Sequence, residues 1–183
     1  MKLPHSIAPL IHPHTPAWSG RSGVPAFHVS RFWRDWLFDQ GSLTARLVAL
    51  DAGRFSVRLL REAVGPATAP ERSELGIGPH EPVWFREVIL LLDAEPVVYA
   101  RTAVPVSTLN SRARPLRSLG NRSLGAYLFT RPDLQRSPVR AARCADNDLN
   151  LSWSRRSVFR IYGRPLMVSE AFSNRLPELA GGA

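Results

Sequence analysis

The chain has 183 residues, 44% of them hydrophobic and five of them tryptophan, which suits a single domain with a continuous core and excludes wholesale disorder. No apolar run approaches the roughly 18–20 residues that cross a bilayer, so a soluble protein without an integral membrane segment is expected. The formal charge of +9 is almost all arginine, because Lys2 is the only lysine, and the scatter of the arginines argues against nucleic-acid binding while leaving a field that draws in a small dianion.

Residues 1–28 are rich in proline and histidine, show no periodicity, and are expected to form a flexible or surface-draped arm. Pro4, Pro9, Pro13 and Pro16 interrupt any secretory signal after Lys2, which makes a cytoplasmic location the default. His12 and His14 lack a third metal ligand nearby and read as part of a solvated tail. Ser30 caps a predicted helix, RFWRDWLFDQ, whose Phe32, Trp33, Trp36 and Leu37 fall at helical spacing and whose stop is Gly41. Ser42 caps a second short helix, LTARLVAL. The main domain is expected over residues 29–175, with 176–183 as a tail.

From Arg54 the period changes to two, placing Phe55, Val57 and Leu59 on one face of a strand. Residues 65–82, with Pro66, Pro70, Pro79, Gly76 and Gly78, read as a loop. Residues 83–109 read as a hairpin turning at Asp93-Ala94. In its first strand Trp84, Arg86, Val88, Leu90 and Leu92 share a face, so Arg86 is a guanidinium on an apolar stripe. Such a charge is not buried without an anion to meet it.

After an arginine-rich connection, Ser123 caps a short helix that turns Leu124, Tyr127 and Leu128 inward, and Gly125 allows backbone to approach a ligand closely. Three further strands are predicted at 138–145, 155–162 and 166–172, the last two joined by Gly163-Arg164-Pro165. Cys144 stands alone, which excludes an intrachain disulfide and fits a small semi-buried core residue. On the last strand Glu170 shares a face with Leu166, Val168 and Phe172. Either Arg86 and Glu170 neutralise each other, or they sit at opposite ends of a pocket holding a small polar molecule.

WFREVIL at 84–90, EPVVYARTAVPVSTL at 95–109, SLGAYLF at 123–129, WSRRS at 153–157 and GRPLMVSEAF at 163–172 together resemble the bacterial chorismate–pyruvate lyase family. The resemblance covers roughly residues 30–173. It implies an α+β fold with a six-stranded antiparallel sheet and helical flaps over an internal ligand pocket. It also implies conversion of chorismate to 4-hydroxybenzoate and pyruvate for ubiquinone synthesis, with no metal and no organic cofactor; a monomer is expected, though the sequence leaves dimer formation open. Carried over from the family, the ligand-contacting residues are Arg86, Leu124, Glu170 and Leu43, the last standing where the family has methionine. A second departure is Ala126, where the family's block often carries arginine.

In that reading Arg86 anchors the ring carboxylate. Glu170 bonds the 4-hydroxyl or accepts the C4 proton, unless the enolpyruvyl methylene takes the proton within the substrate. Arg101, Arg155 and Arg156 are candidates for the second carboxylate. A closed cavity also implies product inhibition. The different-class reading is a small-molecule-sensing domain of related fold, as in some transcription regulators.

Overall fold

The structure is a computed structural model, and it describes residues 18–23, 29–51, 53–144 and 147–181. His12, His14 and most of the N-terminal arm lie outside the described residues. No helix among the described residues is long and apolar enough to cross a membrane.

Strands β1 (Phe55–Pro66), β2 (Pro82–Leu92) and β3 (Glu95–Pro105) form an antiparallel meander. The β2–β3 turn falls at Asp93 and Ala94, both with positive φ (50° and 64°), which matches the twist of a two-residue hairpin. Asp93 is anchored there by Arg54, whose Nε donates to Oδ2 at 2.7 Å. After the short strands β4 (Gln135–Arg136) and β5 (Arg140–Arg143), β6 (Leu151–Ile161) and β7 (Arg164–Ser173) complete the sheet. The order is β1-β2-β3-β7-β6-β4, with β5 also paired to β6, and every pairing is antiparallel.

The sheet therefore has seven strands where six were expected. The segment predicted at 138–145 is β5, and the additional strand is β4 at Gln135–Arg136, which was not predicted; the two are separated where Pro138 has no N–H for the ladder and Ser137 Oγ accepts from Val158 N at 2.9 Å. A second correction is a helix inside the predicted loop at 65–82. There α3 (Ala69–Leu75) starts from a capping box, in which Glu71 N donates to Thr68 Oγ1 at 3.3 Å and Thr68 N donates to Glu71 Oε2 at 2.8 Å. It ends on Gly76 in the left-handed region, at φ 66°.

The serine caps form as the sequence predicts. Ser30 caps α1 (Arg31–Leu37), Ser42 caps α2 (Leu43–Leu50) and Ser123 caps α5 (Leu124–Leu128). The single-turn helices α4 (Val106–Leu109) and α6 (Leu176–Leu179) complete the set.

One face of the sheet carries two apolar clusters. Leu37 and Leu47 pack with Leu90, Val98 and Phe172 in the first. Trp84, Val104, Leu116, Leu128 and Phe159 form the second. Leu176 is fully buried in the first cluster, so the core continues past residue 175. Ser19 pairs with Ala141 on β5 through two backbone hydrogen bonds, which ties part of the predicted arm to the sheet.

Candidate active site

Between the two clusters, the sheet and the starts of helices α2 and α5 line a cavity that opens to solvent. Its floor follows from pairing register. Arg86 on β2 faces Thr102 on β3, which faces Val168 on β7. Two residues along β7, Glu170 pairs with Ala100 on one side and Arg155 on the other. Period two thus delivers Arg86, Glu170 and Arg155 to one face of the sheet, and all three line the cavity.

Arg86 is 1% exposed. Its Nη2 donates to the carbonyls of Gly120 at 2.7 Å and Arg122 at 2.9 Å, which fixes the loop leading into α5. The anion that approaches it is Glu62, its cross-strand neighbour on β1, at 3.5 Å from Nε. Nε itself makes no hydrogen bond among the described residues. Burial lowers the guanidinium pKa, and the charge of Glu62 opposes that shift. Arg86 therefore retains donor capacity inside the cavity.

Glu170 does not neutralise Arg86. Its Oε2 accepts from Arg155 Nε at 2.5 Å. Arg155, also 1% exposed, donates Nη1 to Trp36 O at 2.7 Å, the carbonyl end of α1. A cation there satisfies free carbonyls and suits the negative end of the helix. A third arginine, Arg136 on β4, also lines the cavity, and neither spacing nor periodicity pointed to it.

The roof comes from the two helix starts. Leu43 and Leu124 are the first residues of α2 and α5, and both line the cavity. Ser123 Oγ is 2.8 Å from Thr44 Oγ1, which joins the two helices. At Gly125 the close approach is between these helices: a Cβ there would stand 2.8 Å from Ser42 Oγ and 3.2 Å from Thr44 Oγ1.

Arg101 and Arg156 are not brought to the cavity. Arg101 is paired in register with Glu87, and Arg156 with Ser169, on the opposite face of the sheet. Arg101 Nε donates to Glu71 Oε1 at 2.9 Å and Nη1 to Glu87, while its guanidinium stacks on Phe85. Arg156 Nη2 donates to Glu74 Oε1 at 2.7 Å. Adjacent residues on a strand point opposite ways, so only Arg155 of the WSRRS pair can face the cavity. No group of three or more His, Cys, Asp or Glu among the described residues is placed to hold a metal.

In this α+β domain, a cavity whose lining has an excess of guanidinium over carboxylate is a candidate anion-binding, small-molecule site. Solved structures of similar fold include the effector domain of PhnF from Mycobacterium smegmatis, 18% identical with a TM-score of 0.54 over 74% of this chain and 90% of that one. Another is the C-terminal domain of the histidine utilization repressor from Pseudomonas syringae pv. tomato, 12% identical with a TM-score of 0.50 over 66% of this chain and 92% of that one. At such identities these share the fold alone.

The profile of the chorismate lyase family matches residues 24–179, and the chain belongs to that family. Among its relatives, a protein of Azoarcus sp. (strain BH72) named "Probable chorismate pyruvate-lyase" is 38% identical over 90% of this chain and 93% of its own length. The "Chorismate pyruvate-lyase" of Citrobacter koseri is 42% identical over 75% of this chain and 80% of its own.

Proposed function

We propose that this chain is a chorismate–pyruvate lyase, which eliminates pyruvate from chorismate to give 4-hydroxybenzoate for ubiquinone biosynthesis. The observation that carries the reading is the placement of Arg86 and Glu170 on one sheet face, a strand apart, in one cavity of a lyase-family chain. The relatives at 38–42% identity favour an enzyme over a sensing domain, whose likeness rests on fold only.

In this reading Arg86 holds the ring carboxylate with the donors that its carbonyl partners leave unused, each charge-assisted bond contributing about 1.5–3 kcal/mol. Glu170, held by Arg155 through Oε2, presents its other oxygen to the C4 hydrogen. Removing that proton sends the C–H electron pair into the ring, the C3–O bond breaks, and the ring becomes aromatic. The released enolpyruvate takes a proton on its methylene carbon and becomes pyruvate. The work of the protein is orientation and one proton transfer, and no metal or organic cofactor takes part.

Helices α2 and α5 act as flaps that part at the Ser123–Thr44 contact to admit substrate. Because they close over an apolar ring site, 4-hydroxybenzoate leaves slowly and inhibits. The enzyme works as a cytoplasmic monomer. Expression in a bacterium deprived of its own chorismate lyase tests the reading: ubiquinone is restored if it is right, and a host that stays ubiquinone-deficient despite soluble expression overturns it.

A further inference from the structure

Arg136 lines the cavity although the sequence motifs leave it out. Its Nε donates to Ser157 Oγ at 3.1 Å, and Nη1 donates to the carbonyls of Asp39 at 3.2 Å and Gly41 at 3.3 Å. Its guanidinium lies 5.0 Å from the centre of the Phe159 ring. All these partners are neutral. The two carboxylates whose charges reach it are engaged elsewhere: Glu170 with Arg155 at 2.5 Å, and Asp39 with Arg46 at 3.2 Å.

Burial, reinforced by the Arg155 charge, lowers the Arg136 pKa to about 10, against the opposing pull of Glu170 and Asp39. It remains a cation at neutral pH, half-buried and with no ion-pair partner among the described residues. Arg86, Arg136 and Arg155 line the cavity with Glu170, so the lining carries two more positive charges than negative. Arg155 is committed to Glu170 and to the end of α1. Arg86 lies on β2 and Arg136 on β4, with Glu170 on β7 between them in the sheet. Arg86 keeps an unbonded Nε despite Glu62 at 3.5 Å, and Arg136 has no ion pair among the described residues, so a ligand that meets both guanidinium groups has two separated carboxylates.

We infer that Arg136 anchors the enolpyruvyl carboxylate of chorismate, a contact that the monoanionic aromatic product does not make. This rests on the lyase reading above. The elimination carries the second carboxylate away on pyruvate, so 4-hydroxybenzoate keeps its bond to Arg86 and has nothing to offer Arg136. Anchoring at Arg136 also fixes the enol ether on the side of Glu170, where the C3–O bond breaks.

The test is to measure KM for chorismate by product formation, and Kd for 4-hydroxybenzoate by calorimetry, in wild type, Arg136→Met and Arg136→Lys. Arg136→Met is expected to raise KM about 10- to 100-fold, the range of one or two charge-assisted bonds. Its Kd for 4-hydroxybenzoate is expected to stay within about threefold, which also reports that the cavity is intact. Arg136→Lys restores much of the KM, since a point charge still meets a carboxylate. A parallel rise of KM and Kd in the methionine variant marks a structural role and overturns the inference, as does an unchanged KM. If Arg136→Met fails to fold, Arg136→Lys decides: equal weakening of substrate and product overturns the inference as well. Wild-type protein that leaves chorismate unconverted while binding 4-hydroxybenzoate is a failure of the lyase reading itself.

Discussion

Glu170 and Arg155 face each other directly across the β6–β7 ladder, with Nε 2.5 Å from Oε2, and the other arm of Arg155 reaches Trp36 O at 2.7 Å. The carboxylate proposed to take the proton is therefore held by a side chain that also closes the end of α1. Glu170→Gln keeps the shape and removes the base. We expect kcat to fall by about 100-fold or more, with Kd for 4-hydroxybenzoate changed less than kcat. Steady-state kinetics beside calorimetry reads both, and an undiminished kcat would assign the proton transfer to the substrate's own enolpyruvyl group.

Arg86 has the complementary signature. Arg86→Ala removes the carboxylate fork, so affinity for 4-hydroxybenzoate should drop by about 10- to 100-fold for one or two lost bonds. Part of the loss comes from the loop at 120–122, because its carbonyls bond Nη2. A Kd equal to wild type in a folded variant would remove Arg86 from the site.

Arg101 sits on the other face, between the fully buried carboxylates of Glu71 and Glu87. Taking a cation away from such a pair costs about 3–5 kcal/mol. Arg101→Met should therefore lower Tm by many degrees in a thermal melt. The KM of the protein that stays folded should match wild type, and a large KM effect at unchanged Tm would return Arg101 to the substrate.

Gly125→Ala probes the roof. The added methyl would meet Ser42 Oγ at 2.8 Å, and that hydroxyl is pinned as the α2 cap by its bond from Ala45 N at 3.2 Å. Overpacking of this kind costs about 1–3 kcal/mol. We expect a lower Tm and weaker 4-hydroxybenzoate binding. Adding Ser42→Gly should recover part of both, since glycine is tolerated at an N-cap at a cost of a few tenths of a kcal/mol. No recovery would show that the helices are not spaced by this contact.

Cys144 gives a pH signature. Burial raises its thiol pKa, with the hydrogen bond between Cys144 Sγ and Ser154 Oγ and the Arg143 charge pulling the other way. As pH rises the unfolded chain loses this proton first. The thiol's contribution to stability is thus full below the ordinary thiol range and is lost as pH rises through the folded value. Alkylation by iodoacetamide near pH 8 should be slower in the native protein than in urea, and equal rates would contradict the shift.

The sequence made legible whatever depends on period and local caps. The shared face of Trp84, Arg86 and Val88, the placement of Glu170 with Val168 and Phe172, and the serine caps at 30, 42 and 123 all follow from spacing within one element. What depends on pairing between elements was hidden. Glu62 reaches Arg86 through a register that includes a bulge after Leu59. Arg101 falls on the face away from Arg86 because of the hairpin pairing, in which it meets Glu87. Arg136 sits on a two-residue strand, too short to show a period. Helix α3 did carry a signal, Thr68 with Glu71 and Pro70 at the first turn, but the surrounding prolines and glycines masked it.

The most direct test incubates purified, chelator-treated protein with chorismate and quantifies both products in the same samples. The account predicts 4-hydroxybenzoate and pyruvate rising together in equal amounts, as the elimination requires. Chorismate that declines no faster than in a protein-free control would contradict it.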